Sequence, residues 1–308
     1  MAAMRESVLL SGIVLLLASP AAADETLVVG VTTRAYSSWV ANVAEGTPVE
    51  VVPVIPADRD PHGFQARPED LARLGELDVL VANGLGHDAF VDEMLRAAGR
   101  DDLPRIDLHQ GVPLVPYHPG TSHRHAGDPE PQGEQAFNPH TFLSLSTAIQ
   151  QVYNLERGLA RLRPGHAETF RMNARAYASR LRKMKAWAAE KLTGARVTKV
   201  ATVHDGYVYL LQEFGIDVAA VVQPRHGIEP SAGELAGTIE AIRAAKVEVV
   251  FSELDFPREY VDLIRRESGV RLYHLSHLSR GEYTARAFED EMRANLETLI
   301  RALVEDGG

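Results

Sequence analysis

The chain has 308 residues, 45% of them hydrophobic, a formal net charge of −10 and no cysteine. That length permits two domains of ordinary size, and the acidic balance argues against nucleic acid as a partner. Without cysteine there is neither a disulfide nor a thiolate ligand, so core burial must supply the stability.

Residues 1–23 carry Arg5, an apolar run from Val8 to Leu17 and the small-residue stretch Pro20-Ala21-Ala22-Ala23. This is the pattern of a cleavable secretory signal peptide, too short for a comfortable transmembrane helix. No cysteine follows the run, so the expectation is an exported, soluble, unlipidated protein. Residues 24–165 read as a first lobe. Thr26–Thr32, Val49–Ile55 and Asp78–Ala82 are apolar runs of strand length, with helical patterns between them, notably Pro68–Leu77. Pro68 suits a first helical turn, and Glu69 and Asp70 favour its positive end. Residues 117–135 change character, being rich in Pro, Gly, His and acidic residues without periodicity, and read as a surface loop.

Residues 166–193 contain a stripe of Phe170, Tyr177, Leu181, Met184, Ala188 and Leu192 at helical spacing, ended by Gly194. Such a helix spans roughly 40 Å and would serve as a rigid spine between domains. Residues 194–308 repeat the first style. Lys199–Val203, Ile216–Val222, Val247–Ser252 and Val270–Leu275 read as strands. Tyr207–Phe214, Ser231–Ala245, Pro257–Ser268 and Ala285–Val304 read as helices, and Ser231 with Glu234 forms a capping box. The fold class is therefore α/β: two similar lobes with parallel-type sheets, joined by one long spine helix.

Three histidines lie in distinctive contexts: Asp60-Pro61-His62, Asn138-Pro139-His140 and Val203-His204-Asp205. Imidazole is a common ligand of transition metals. In α/β sheets, ligands bind beyond the carboxyl ends of strands. His62 and His204 follow such ends, and His140 leaves the polar loop just before Phe142-Leu143. Two ligands would come from the first lobe and one from the second, closing on an interlobe cleft.

The segment Asp60-Pro-His-Gly-Phe-Gln-Ala-Arg-Pro-Glu-Asp70 resembles the first-ligand motif of the zinc/manganese solute-binding proteins of ABC importers. Asn138-Pro-His-Thr-Phe142 resembles their second and Val203-His-Asp-Gly-Tyr207 their third. Gly227-Ile-Glu-Pro-Ser231 and the tail Tyr283, Met292 and Asn295-Leu296 match further, so the resemblance covers essentially the whole exported chain in order. It implies a periplasmic protein, a metal in the cleft between two lobes, and delivery of that metal to the membrane subunit of an ABC permease. A monomer without enzymatic activity is expected.

One departure from the pattern concerns the fourth ligand. Ser276 stands where the family places an aspartate. A serine hydroxyl is a poor zinc ligand, so His277 is the natural substitute, with Glu253, Asp255, His274 and water as alternatives. Histidine at 204 and no aspartate at 276 favour Zn2+ as transported cargo over Mn2+. His118, His123 and His125 in the polar loop form a candidate weak capture site, whose bland reading is a solvated linker. His87, His109, His166 and His226 read as surface or locally hydrogen-bonded residues. Two rivals remain. A secreted zinc hydrolase would need Glu253 as its base, since no His-Glu-x-x-His pair is present. A chelate-binding protein would need aromatic or arginine walls.

Overall fold

The computed structural model describes residues 25–57, 59, 64–117, 137–223, 230–253 and 256–306, so the signal segment lies outside the described residues. The first sheet contains β1 (Leu27–Val31), β2 (Val49–Pro53), β3 (Val79–Ala82) and β4 (Arg105–Asp107), all parallel in the order β2-β1-β3-β4. The second contains β5 (Lys199–Thr202), β6 (Asp217–Val221), β7 (Val249–Ser252) and β8 (Arg271–His274), parallel in the equivalent order β6-β5-β7-β8. The central strands β3 and β7 are buried at every residue, as their unbroken apolar runs require of strands covered on both faces.

Helices α1 (Arg34–Val43), α2 (Pro68–Leu74) and α3 (Phe90–Ala97) connect the first sheet. Helices α6 (Val208–Glu213), α7 (Ala232–Ala244) and α8 (Arg258–Ser268) connect the second. Local chemistry fixes their ends. The Thr33 side chain accepts from the Tyr36 N–H at 3.3 Å, capping α1. Ser231 and Glu234 exchange bonds of 2.8 and 3.3 Å, the capping box expected for α7. Gly269, with φ of 73°, closes α8 in the left-handed conformation.

Between the sheets lie α4 (Leu145–Leu162), α5 (Ala167–Leu192) and α9 (Ala287–Ile300). The spine helix is α5, and it buries Phe170, Tyr177, Leu181, Ala188 and Leu192 along one stripe. Helix α4 lies outside the sequence expectations. Its buried Leu145, Ala148, Val152, Leu155 and Leu159 form a helical stripe, but Gln151, Asn154, Glu156 and Gly158 are buried beside it and blur the pattern. Gly158 is required there, since a Cβ would lie 2.6 Å from Ile106 Cδ1.

The main hydrophobic core runs through both lobes. It joins Val29 and Val81 of the first sheet to Val200, Val249 and Phe251 of the second through α4, α5 and α9. Trp39 sits inside it, with ring centroids 5.3 Å from Tyr36 and 5.2 Å from Phe288. Smaller cores close the outer side of each lobe. Among the described residues no helix is long and apolar enough to cross a membrane.

Candidate metal centre

The carboxyl ends of the strands face one another across the interlobe cleft. His204 follows β5, His277 follows β8, and His140 begins the turn that leads into α4. One ring nitrogen from each of these histidines lies within 4.8 Å of the others, and all three side chains are buried. His140 and His204 approach closest, Nε2 to Nε2, at 3.1 Å. Tetrahedral nitrogen ligands at about 2.0–2.1 Å from zinc stand about 3.3 Å apart, so this pair is already near coordinating separation. The ring centroid of His277 is 4.7 Å from that of His140 and 5.0 Å from that of His204.

The surroundings orient these rings. His140 Nδ1 lies 2.8 Å from Asn138 Oδ1, an oxygen that only accepts, so Nδ1 carries the proton and Nε2 keeps its lone pair for the cleft. Asn138 is fixed in turn across the lobes. Its Nδ2 donates to the Asp205 carbonyl at 2.8 Å, and its own carbonyl accepts from the Tyr209 hydroxyl at 2.7 Å. Asn83 Nδ2 donates to the Pro139 carbonyl at 2.8 Å. Tyr207 donates to the Leu275 carbonyl at 2.9 Å, and burial, with the charge of Glu253 adding to it, raises its hydroxyl far above the ordinary range. It therefore stays a neutral donor. Gly206 makes room for two rings, since a Cβ there would meet His277 Nε2 at 2.5 Å and His204 Cδ2 at 2.7 Å.

The sequence candidates separate clearly. His140, His204 and His277 come together. His62, Asp255 and the capture-loop histidines His118, His123 and His125 lie outside the described residues, as does His226. His274 ends β8 on the exposed side, and Glu253 stands outside the three-imidazole group.

His87 departs from its sequence reading. It is 1% exposed, with its ring edge-on to His140 at 5.1 Å and to Phe142 at 4.9 Å. It lies beyond the carboxyl end of β3, so the strand-end rule that finds His204 would also have found it. Its neighbour Asp88 is held by the Asn83 N–H at 2.6 Å and the Thr32 hydroxyl at 2.7 Å. Burial nevertheless pushes the Asp88 carboxyl up from its ordinary value.

A family model described as "Zinc-uptake complex component A periplasmic", ZnuA, matches residues 29–302. The chain belongs to the ZnuA family. It is similar to the solute-binding protein FpvC of Pseudomonas aeruginosa, solved in complex with Mn2+. That match has 45% identity and a TM-score of 0.82, covering 92% of this chain and 100% of FpvC. A Ni2+ complex of FpvC matches at 45% identity with a TM-score of 0.83, covering 92% and 99% of the two chains. The zinc-binding lipoprotein AdcA of Streptococcus pneumoniae is 26% identical over 85% of this chain, which spans only 53% of AdcA. The iron ABC transporter substrate-binding lipoprotein MtsA of Streptococcus pyogenes is 22% identical over 79% of this chain and 77% of its own length. The chain is thus a metal-binding solute-binding protein of the periplasmic ZnuA family, whose members serve ABC importers. Its relatives differ in the metal they carry.

Proposed function

We propose that this protein captures Zn2+ as cargo through His140, His204 and His277, with His62 completing the site, and hands it to the membrane subunit of an ABC permease. The observation that carries this reading is the convergence of three buried imidazoles from both lobes within 4.8 Å. Nitrogen-only ligands suit zinc, and they suit manganese poorly because Mn2+ prefers carboxylate and carbonyl oxygen. The acceptor-fixed tautomer at His140 supplies orientation, and glycine at 206 supplies room for the rings. A hydrolase would need an open zinc position beside a general base, and Glu253 is not among the clustered groups.

A second reading, Ni2+ or Mn2+ as cargo, is favoured by the likeness to FpvC solved with those ions. Calorimetric titration of metal-free protein with Zn2+, Ni2+, Mn2+ and Fe2+ in parallel separates the readings. One tight zinc site, lost in His140→Ala and His204→Ala, is expected. Preference for nickel or manganese over zinc, or wild-type zinc binding by both variants, would refute it.

A further inference from the structure

The course of the chain after β8 is set by α9 and, farther along, by the opposite lobe. The Ser276 hydroxyl, at the position where the resemblance puts a carboxylate, donates to Glu291 of α9. The Ser276 N–H donates to Asn295 Oδ1 at 2.7 Å, and its carbonyl accepts from Asn295 Nδ2 at 2.8 Å. The same hydroxyl oxygen accepts the Leu278 N–H at 3.1 Å, where φ of 60° at Leu278 turns the chain sharply. His277 is thus bracketed on both sides by the bonds of a single serine.

Glu291 is held from the other lobe. Its second oxygen pairs with Arg34 of α1, whose side chain is 6% exposed. Arg34 also donates to the carbonyls of Arg280 and, at 3.2 Å, Glu282. It packs on Gly281, where a Cβ would lie 3.1 Å from Arg34 Cζ. Farther along, the Gly281 N–H donates to the Ala57 carbonyl at 3.0 Å and the Tyr283 hydroxyl to the Ile55 carbonyl at 2.9 Å. Residues 276–283 therefore form a strap that leaves the second sheet and fastens to α1 and to the segment between β2 and α2.

We propose that Arg34, Glu291 and Ser276 are positioning residues for His277, fixing its imidazole in the cleft by tying its loop to the first lobe. This rests on the reading of His277 as a metal ligand. The Arg34 guanidinium is buried while the Glu291 carboxylate is partly exposed, so removing the carboxylate leaves a buried charge without its ion-pair partner, and removing either loosens the strap. A ligand held in place before binding loses little freedom on binding, and its loosening shows chiefly in the rate of release.

Co2+ is the probe, read by its visible absorption and by its rate of release to a chelator. His277→Ala is measured first. Then Glu291→Ala, Arg34→Ala and Ser276→Ala are each made in the wild-type and His277→Ala backgrounds. Ser276→Ala leaves the ion pair intact and covers the case in which a charge variant fails to fold. Each strap variant should speed release by about tenfold, as losses around a ligand typically do, and move the cobalt band toward that of His277→Ala. Added to His277→Ala, none should have further effect, because the residue they act through is gone. An undiminished penalty in that background, or wild-type release in all three single variants, overturns the proposal. A wild-type band and rate in His277→Ala alone would instead show that the ligand assignment has failed.

Discussion

Gly206 sets the closest limit on the site at the scale of single residues. Its absent side chain is the space that His277 and His204 occupy, with projected contacts of 2.5 and 2.7 Å. Neither ring can yield freely, because both are buried. Gly206→Ala should therefore lower zinc affinity by about 10–100-fold, the range typical of disturbed ligand orientation, with a thermal midpoint changed far less than in a core deletion. Calorimetry alongside thermal melting checks this, and unchanged affinity would show that the rings have room elsewhere. The sequence exposes this glycine only as one letter of a motif; its reason is contact between residues of distant strands. His87 is the same lesson in reverse. Alone in sequence it looks like any surface histidine, and only its place beyond β3 brings it against His140. His277 could be nominated from sequence beside Glu253, Asp255 and His274, but the residues that hold its loop, Glu291, Asn295 and Arg34, could not, the last being more than two hundred residues away.

At the scale of elements, Tyr283 gives the strap a measurable pH limit. Its hydroxyl donates to the Ile55 carbonyl, and burial pushes its pKa up to about 12 against the opposing pull of Arg34. The folded protein thus holds this proton more tightly than the unfolded chain, where tyrosine ionises near pH 10. The stability it contributes is complete below about pH 10 and is lost as pH rises toward about 12. Wild type should lose stability across that window more steeply than Tyr283→Phe, which has no proton to lose. Circular dichroism and tyrosinate absorbance against pH measure the difference, and superimposable alkaline profiles would exclude the effect. Most elements were legible because their signals are local: the capping box of α7, Gly269 after α8 and the apolar run of β3 announce themselves. Helix α4 was not, because Gln151 and Asn154 are buried for long-range bonds, Gln151 to Thr141 and Asn154 to Leu108. Such polar residues read as surface in a sequence.

At the scale of the whole molecule, the two lobes and the spine helix that joins them are legible in sequence, but the core they share is not. A spine helix alone would leave two bodies free to rock. Instead a single hydrophobic core passes from the first sheet to the second through α4, α5 and α9. Glu213, at the end of α6, adds a polar tie by accepting from the Leu145 and Ser146 N–H groups at 2.9 and 2.8 Å, at the positive end of α4. Asn138 with Asp205 and Arg34 with Glu291 cross the cleft at two further places. A wide hinge would have to expose this shared core, which costs about 25 cal/mol for each Å² of apolar surface. Metal release is therefore expected to proceed by local movement of the loops that carry His140, His204 and His277. Small-angle scattering of metal-free and zinc-loaded protein should give nearly superimposable profiles, while hydrogen exchange should slow on loading in residues 276–283 and around His140. A large compaction on loading would contradict the continuity of the core, and exchange slowed evenly through both sheets would contradict a local release step.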